Sequence, residues 1–427
     1  MLVSARSDFR RVRSSIIDVV SYDLLLDVTV GAETFWSRTE LSFCCRREGA
    51  RAFADLRPVE VRRVVLNGAD VTGHHLHREG RLELTNLARE NTLVVEAEFA
   101  YVETGTGLYR FGGGENASGC VYSNANLGGA ARIFSCFDQP DLRAPITLAV
   151  RAPAGWRCRA NYPMVARPAD GGEGVWRFTS TPPLAPYQFA FCASPEPVAV
   201  LGSVVDRDPP VMLTIWTLAA SGDPLDADML TELVRRPLRY YADALGVPYP
   251  YPKCDLVFVP RFPGLAFSPP GLATLQDQLL KPSENRPALY LGCVLAHELA
   301  HAWFGGLLDL RHEDDMWLQE ALATYTSRTA LEETQPGSTP WASDTSASLP
   351  DHAYAKDAAL LRQLEELIGR PALMNGLAAL MRRYSHATIS RDDLVRSWSQ
   401  SSGEDLRAWA ETLIPAPQPE ESQAAAD

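Results

Sequence analysis

The sequence predicts a multi-domain chain: an N-terminal antiparallel β domain over residues 1–202, an α/β to mainly helical domain over 203–414, and a tail over 415–427. Three observations lead there. Short apolar/polar alternations, separated by turn residues, recur through the first part of the chain. After Asp206 the texture changes to strand-like runs followed by long helical periods. The final stretch is acidic and rich in Pro and Ala, a composition that buries too little apolar surface to order, so it is expected to be disordered. A length of 427 residues is enough for two or three ordinary cores.

Taken in order, Tyr22, Leu24, Leu26, Val28 and Val30 alternate with Asp23, Asp27 and Thr29, broken only by Leu25. That is the period of a half-buried strand. The pattern returns at Leu93, Val95, Ala97, Phe99 and Tyr101, and again over 146–150. Asn67-Gly68, Pro153-Ala154-Gly155 and Asp170-Gly171-Gly172 supply the turns. In the second part, 211–218 and 256–260 read as strands, and 225–245 as a helix with Pro237 as its kink point. The segment 261–271 carries Pro263, Gly264, Pro269, Pro270 and Gly271, so it predicts an irregular path of the kind that lines clefts. Helical patterns follow over 291–302, 317–323, 354–364, 371–384 and 391–414, with a polar connection at 335–350.

The chemistry concentrates in His297-Glu298-Leu299-Ala300-His301. Histidines four apart on a helix lie one turn above the other, so both imidazoles reach a single ion. Glu298 is placed to accept a proton from a water. Glu320 follows after eighteen intervening residues, and a second helix packed on the first would bring its carboxylate in as third ligand. Two histidines and a carboxylate leave one tetrahedral position open, the pattern of a catalytic zinc site, and predict one Zn2+. The surrounding 291–302 run is otherwise nearly apolar, and burying His297, Glu298 and His301 there without a metal would be costly. Cys293, four residues before His297 on the same helix face, is a candidate fourth, sulfur ligand.

Composition excludes other classes. With 53 acidic against 40 basic residues and net charge −13, the chain lacks the charge of a nucleic-acid binder. Its arginine pairs, such as Arg62-Arg63 and Arg382-Arg383, are short and isolated, and Gly112-Gly113-Gly114 lacks the Lys and Ser/Thr of a phosphate loop. His74, His75 and His77 sit in a polar turn and read as surface residues. No run of eighteen apolar residues occurs and residues 1–12 are largely polar and basic, so neither a membrane span nor a signal peptide is expected and the default location is cytoplasmic. The eight scattered cysteines contain no CxxC pair and read as buried free thiols. Oligomeric state is not legible.

The chain resembles the aminopeptidase N (M1) family of zinc metallopeptidases over almost all of 10–412. The resemblance is carried by His297-Glu298-Leu299-Ala300-His301-Ala302-Trp303-Phe304-Gly305 and Asp315-Met316-Trp317-Leu318-Gln319-Glu320, with Cys136-Phe137-Asp138-Gln139-Pro140-Asp141-Leu142 and Tyr354-Ala355-Lys356 in support. It implies a thermolysin-like, gluzincin-type catalytic domain after the β domain. It also gives Tyr354 the role of oxyanion hydrogen-bond donor beside Glu298, a group that acts only as charge develops. The family's large C-terminal helical domain is expected to be missing.

Departures from the family pattern are as informative. The motif Gly-Ala-Met-Glu-Asn falls on Leu265-Ala266-Phe267-Ser268-Pro269, so Ser268 stands where a glutamate pairs with the substrate's α-ammonium. Gln-Phe-Glu becomes Asn124-Ala125-Asn126, replacing a second carboxylate. Asn124, Asn126, Ala266, Phe267, Ser268 and Pro269 are therefore the candidate substrate-binding residues. Losing two anions should cost a buried ammonium on the order of several kcal/mol of recognition. Gly306 and Gln319 each replace a family asparagine, Asp357 replaces a glycine, and only thirty-three residues separate Glu320 from Tyr354.

These readings converge on a zinc metallohydrolase that cleaves a peptide or small amide with altered recognition of the substrate N-terminus. Two alternatives are a biosynthetic zinc enzyme acting on a non-peptide small molecule, which a metabolite in the cleft would favour, and a non-catalytic scaffold, which failure to bind zinc would favour.

Overall fold

A computed structural model describes residues 12–73, 76–77, 80–112, 119–169, 174–195, 198–205, 210–217, 226–281, 288–334 and 355–411. Tyr354, the 335–350 connection, the Asp170-Gly171-Gly172 turn, His74, His75, Gly113, Gly114 and the 415–427 tail lie outside them.

Long antiparallel strands build the N-terminal region. Thr34–Cys45 pairs with Ile17–Asp27 on one side and with Glu90–Ala100 on the other. Its side chains alternate between buried and half-buried along the whole strand, the signature of one face on a core. Leu24, Leu26, Phe35, Leu41, Phe43, Leu93, Val95 and Phe99 fill that core, while Leu25, the break in the alternation, is half-buried on the other face. Asn67 and Gly68 both take positive φ, 52° and 82°, in the two-residue turn from Glu60–Leu66 to Ala69–Asp70.

The sheet is mixed, which corrects the purely antiparallel expectation. Ile17–Asp27 runs parallel to Ile146–Arg151, with Tyr22 opposite Ile146 and Asp27 opposite Arg151. Alternation reports which face is buried and is the same for either strand direction, so this pairing left no mark in the pattern. A smaller sheet, in the order Arg157–Ala160, Phe191–Ser194, Cys120–Asn124 and Gly107–Phe111, faces the second region.

Five strands open the second region, in the order Val198–Val205, Val211–Thr217, Lys253–Val259, Leu272–Gln276 and Ala266–Phe267. Val198–Val205 straddles the division expected at 202 and pairs with Val211–Thr217. Helix α1 (Ala227–Leu245) starts at an Asp226 cap that accepts from the Met229 amide and stops at Gly246 in the left-handed region, φ 59°. Pro237 lies within it, on its buried face.

Helices α2 (Ala288–Ala300), α3 (Met316–Thr334), α4 (Ala355–Ile368), α5 (Arg370–Arg383) and α6 (Arg391–Ser402) complete the region. Within the helical pattern expected over 391–414, α6 ends at Gly403, φ 80°, and a short helical turn follows at Arg407–Ala410. A β-rich half with mixed sheets thus precedes a half that turns helical. No helix among the described residues is long and apolar enough to cross a membrane. The eight cysteines are free thiols, seven of them buried.

Tyr109, Tyr122, Trp216, Val257, Val259 and Phe262 form a shared core between the two halves. Tyr122 stacks on Tyr109 at 5.0 Å, and its hydroxyl donates to the Pro260 carbonyl at 2.8 Å. This bond fixes the entry to the 261–271 segment, which forms one wall of the cleft described next.

Candidate metal centre

Helix α2 is apolar on nearly every side, and Val294, Leu295, Ala296, Leu299 and Ala300 are all buried. Such a helix belongs in a core. Its neighbour α3 is buried without a break from Ala321 to Leu331. Two of the polar residues this encloses bond back along the helix: Ser327 and Thr329 donate to the carbonyls of Thr324 and Tyr325. Thr324 faces the other way, with its hydroxyl 3.3 Å from His297 Nδ1.

The second histidine is oriented by backbone. His301 Nδ1 donates to the Phe304 carbonyl at 3.1 Å, which turns Nε2 toward the cleft. The two Nε2 atoms then stand 3.2 Å apart, with Glu320 Oε2 3.3 Å from His297 Nε2 and 3.6 Å from His301 Nε2. Ligand atoms about 2.0–2.1 Å from a tetrahedral ion are spaced about 3.3–3.4 Å from one another. The three donors therefore already have the separations of a tetrahedral site with one position open, and the group fits a metal ion. Among the described residues it is the one cluster of three such ligands.

Charge agrees with geometry. Burial alone would favour the neutral forms, but His301 and His297 hold the Glu320 carboxyl well below the usual carboxylate range, and Glu320 in turn raises His301. A cation is what this arrangement stabilises.

The cleft in front of the three donors has a volume of about 500 Å³. Ala266, Phe267, Ser268 and Pro269 line it from the 261–271 segment and Asn126 from the β-rich half. Met316 and Trp317 close another side, and Glu298 faces in from α2. Glu298 Oε2 accepts a hydrogen bond from Ser268 Oγ at 2.5 Å. Asn126 Oδ1 accepts from the Leu127 amide, folding that side chain into its own turn. Among the described lining residues, the carboxylates are Glu298 and Glu320.

Two candidates fall elsewhere. Asn124 does not line the cleft: it ends a buried strand and donates its carboxamide to the Gly105 carbonyl at 3.0 Å. Cys293 packs with Ala296 and Leu331 and is not part of the donor group, so a fourth, sulfur ligand is not supported.

Residues 230–350, which contain all three donors and Glu298, match the family model for the peptidase family M1 domain. Over 95% of its length the chain is 30% identical to aminopeptidase N of Streptomyces lividans, covering 51% of that protein. The chain is thus similar to M1-family proteins. It is also 26% identical, over 65% and 64% of its length, to probable aminopeptidase 1 of Sulfurisphaera tokodaii and leucyl aminopeptidase of Saccharolobus solfataricus, covering 38% of each. It thus spans about half the length of the first relative and less of the other two.

The departure from the M1 pattern at Gly306 has a steric cause in this chain. A Cβ at Gly306 would lie 2.1 Å from the Tyr251 hydroxyl and 2.8 Å from the Ala302 carbonyl, so no side chain fits. The Gln319 carboxamide lies across Gly305, whose φ of 101° also excludes a side chain.

Sequence reasoning missed what grips this turn. Arg143 donates to Asp309 Oδ2 at 2.5 Å and to the Gly306 carbonyl at 3.1 Å. Tyr187 donates to the same carboxylate at 2.9 Å, and Gln188 donates to the Gly305 carbonyl. Three side chains of the β-rich half thus clasp the segment that follows His301. The Arg143 and Asp309 side chains are 5% and 0% exposed, and burial pushes the Asp309 carboxyl up to about 6 despite both partners.

Arg143→Met would remove the cation and raise that carboxyl further. The folded form then binds a proton that the unfolded form releases near pH 4, so the variant's loss of stability grows as pH rises. The expected loss is about 3–5 kcal/mol at pH 8 and less at pH 5, read from denaturant midpoints. Equal losses at both pH values would contradict this account.

Proposed function

We propose that this protein is a zinc-dependent hydrolase of peptide or small amide bonds whose acyl side carries no free α-ammonium. The reading is carried by one juxtaposition: a complete His297, His301 and Glu320 donor set with Glu298 beside it, in a cleft whose other described lining residues carry no carboxylate.

Held by those three donors, zinc supplies Lewis acidity toward a carbonyl and acidifies a water. Glu298 accepts the proton of the attacking water as the carbon–oxygen bond forms and returns it to the leaving nitrogen as the carbon–nitrogen bond breaks. The hydrogen bonds to Thr324 and the Phe304 carbonyl hold the imidazoles, so no reorientation is needed during the reaction. Tyr354, assigned from sequence, donates to the oxyanion.

Specificity follows from what lines the acyl side. Among the described lining residues Ser268 and Asn126 are neutral, and Glu298 and Glu320 already have their tasks, so these residues offer an entering ammonium no spare counter-ion. Leu265, Phe267, Met316 and Trp317 offer apolar surface to an acyl cap instead.

Zinc-loaded protein assayed on matched peptides, one N-acetylated and one with a free amine, tests this directly. The expected ratio of kcat/KM favours the acetylated peptide by about 10–100-fold, the low end of the cost of an unpaired buried charge. Preference for the free amine would defeat the substrate claim.

A further inference from the structure

We propose that Ser268 is a positioning residue for Glu298: its hydroxyl, presented by the 261–271 segment, fixes the carboxylate that faces the His297, His301 and Glu320 group. This rests on the hydrolase reading above, and it gives the serine a task other than holding a substrate amine.

The need for such a residue follows from Glu298 itself. Its side chain has three rotatable bonds, it lines an open cleft, and among the described residues the hydrogen bond from Ser268 is the one its carboxylate accepts. Holding a glutamate in one rotamer costs side-chain entropy, and one charge-assisted hydrogen bond is of the size to offset that. At 2.5 Å the contact lies in the short range typical of a hydroxyl donating to a carboxylate.

Ser268 is itself held firmly. Ala266 and Phe267 pair with Leu275 and Thr274 at the sheet edge, and the Gln276 amide donates to the Leu265 carbonyl. Pro269 and Pro270 follow with fixed φ, and the Pro270 carbonyl accepts from the buried Asn161 carboxamide at 3.0 Å. Gly271, φ 76°, passes so close to Asn161 that a Cβ there would meet its carbonyl at 2.2 Å. A serine on such a support can fix its neighbour.

The bond to Oε2 leaves Oε1 to take the water's proton and hand it on. An oxygen of a neutral carboxylic acid still accepts a hydrogen bond, so the same contact serves before and after the transfer.

Full-length Ser268→Ala and Ser268→Thr proteins, each zinc-loaded and checked for metal content, test the assignment on an N-acetylated peptide. The expected result is a kcat lowered about tenfold or more in the alanine variant with KM within about threefold, and recovery of most of the loss in the threonine variant. An unchanged kcat, or a raised KM with kcat intact, would overturn it. Crystal structures of the zinc-loaded wild type and Ser268→Ala give a readout that needs no turnover: the Glu298 carboxylate is expected within hydrogen-bond reach of residue 268 in the first and rotated or multiply placed in the second. The same placement in both would overturn the inference. A wild type that hydrolyses no amide would count against the hydrolase reading, and the two structures would still decide the role of Ser268.

Discussion

Glu298→Gln is expected to lower kcat/KM on an N-acetylated peptide by about 10²–10⁴-fold while zinc uptake stays near one equivalent. The substitution keeps the size and shape of the side chain, and its amide oxygen can still accept from Ser268, so packing around α2 is preserved. What it removes is the ability to take a proton. Because Glu298 is outside the three-donor group, metal affinity and catalysis should separate in this variant. Activity within tenfold of wild type would remove Glu298 from the role of base. Loss of zinc together with activity would mean that it supports the metal site instead.

His301→Ala is expected to abolish both. Among the described residues the group holds no further donor to replace the lost nitrogen, and Glu320 loses the neighbour that contributes most to holding it anionic. Zinc affinity should fall by well over about 100-fold, more than the loss typical when only a ligand's outer hydrogen-bond partner is removed. Wild-type protein should gain about 2.7 kcal/mol of stability at a free zinc concentration 100 times Kd, and the variant none at the same concentration. Differential scanning calorimetry with and without the metal reads this out. Zinc stabilisation of the variant equal to that of wild type would place the metal elsewhere.

The parts of the site that were legible in the sequence are local. His297 and His301 declare themselves because four residues on a helix are one turn, and Glu320 because it lies in a second helical run close behind. Strand alternation marked the core of the β-rich half, and proline and glycine marked the 261–271 wall. What could not be read depends on distance along the chain. Arg143 and Asp309 are separated by 166 positions and Tyr187 and Asp309 by 122, and no periodicity links such residues. Asn124 and Asn126 show the same limit at short range. Two residues apart, they would share a face of a continuous strand, but the strand ends at Asn124 and the chain turns, with the Gly129 amide bonded to the Asn126 carbonyl. One asparagine stays in the sheet and the other reaches the cleft.

The clasp on residues 305–309 makes the two halves of the molecule harder to treat as modules. The ligand-bearing helix ends where the opposite half takes hold, so the geometry around His301 is set partly by residues that never approach an ion. Anyone grafting this β-rich half onto another catalytic half would have to carry over a carboxylate at 309, a hydroxyl at 187 and a guanidinium at 143 as one unit.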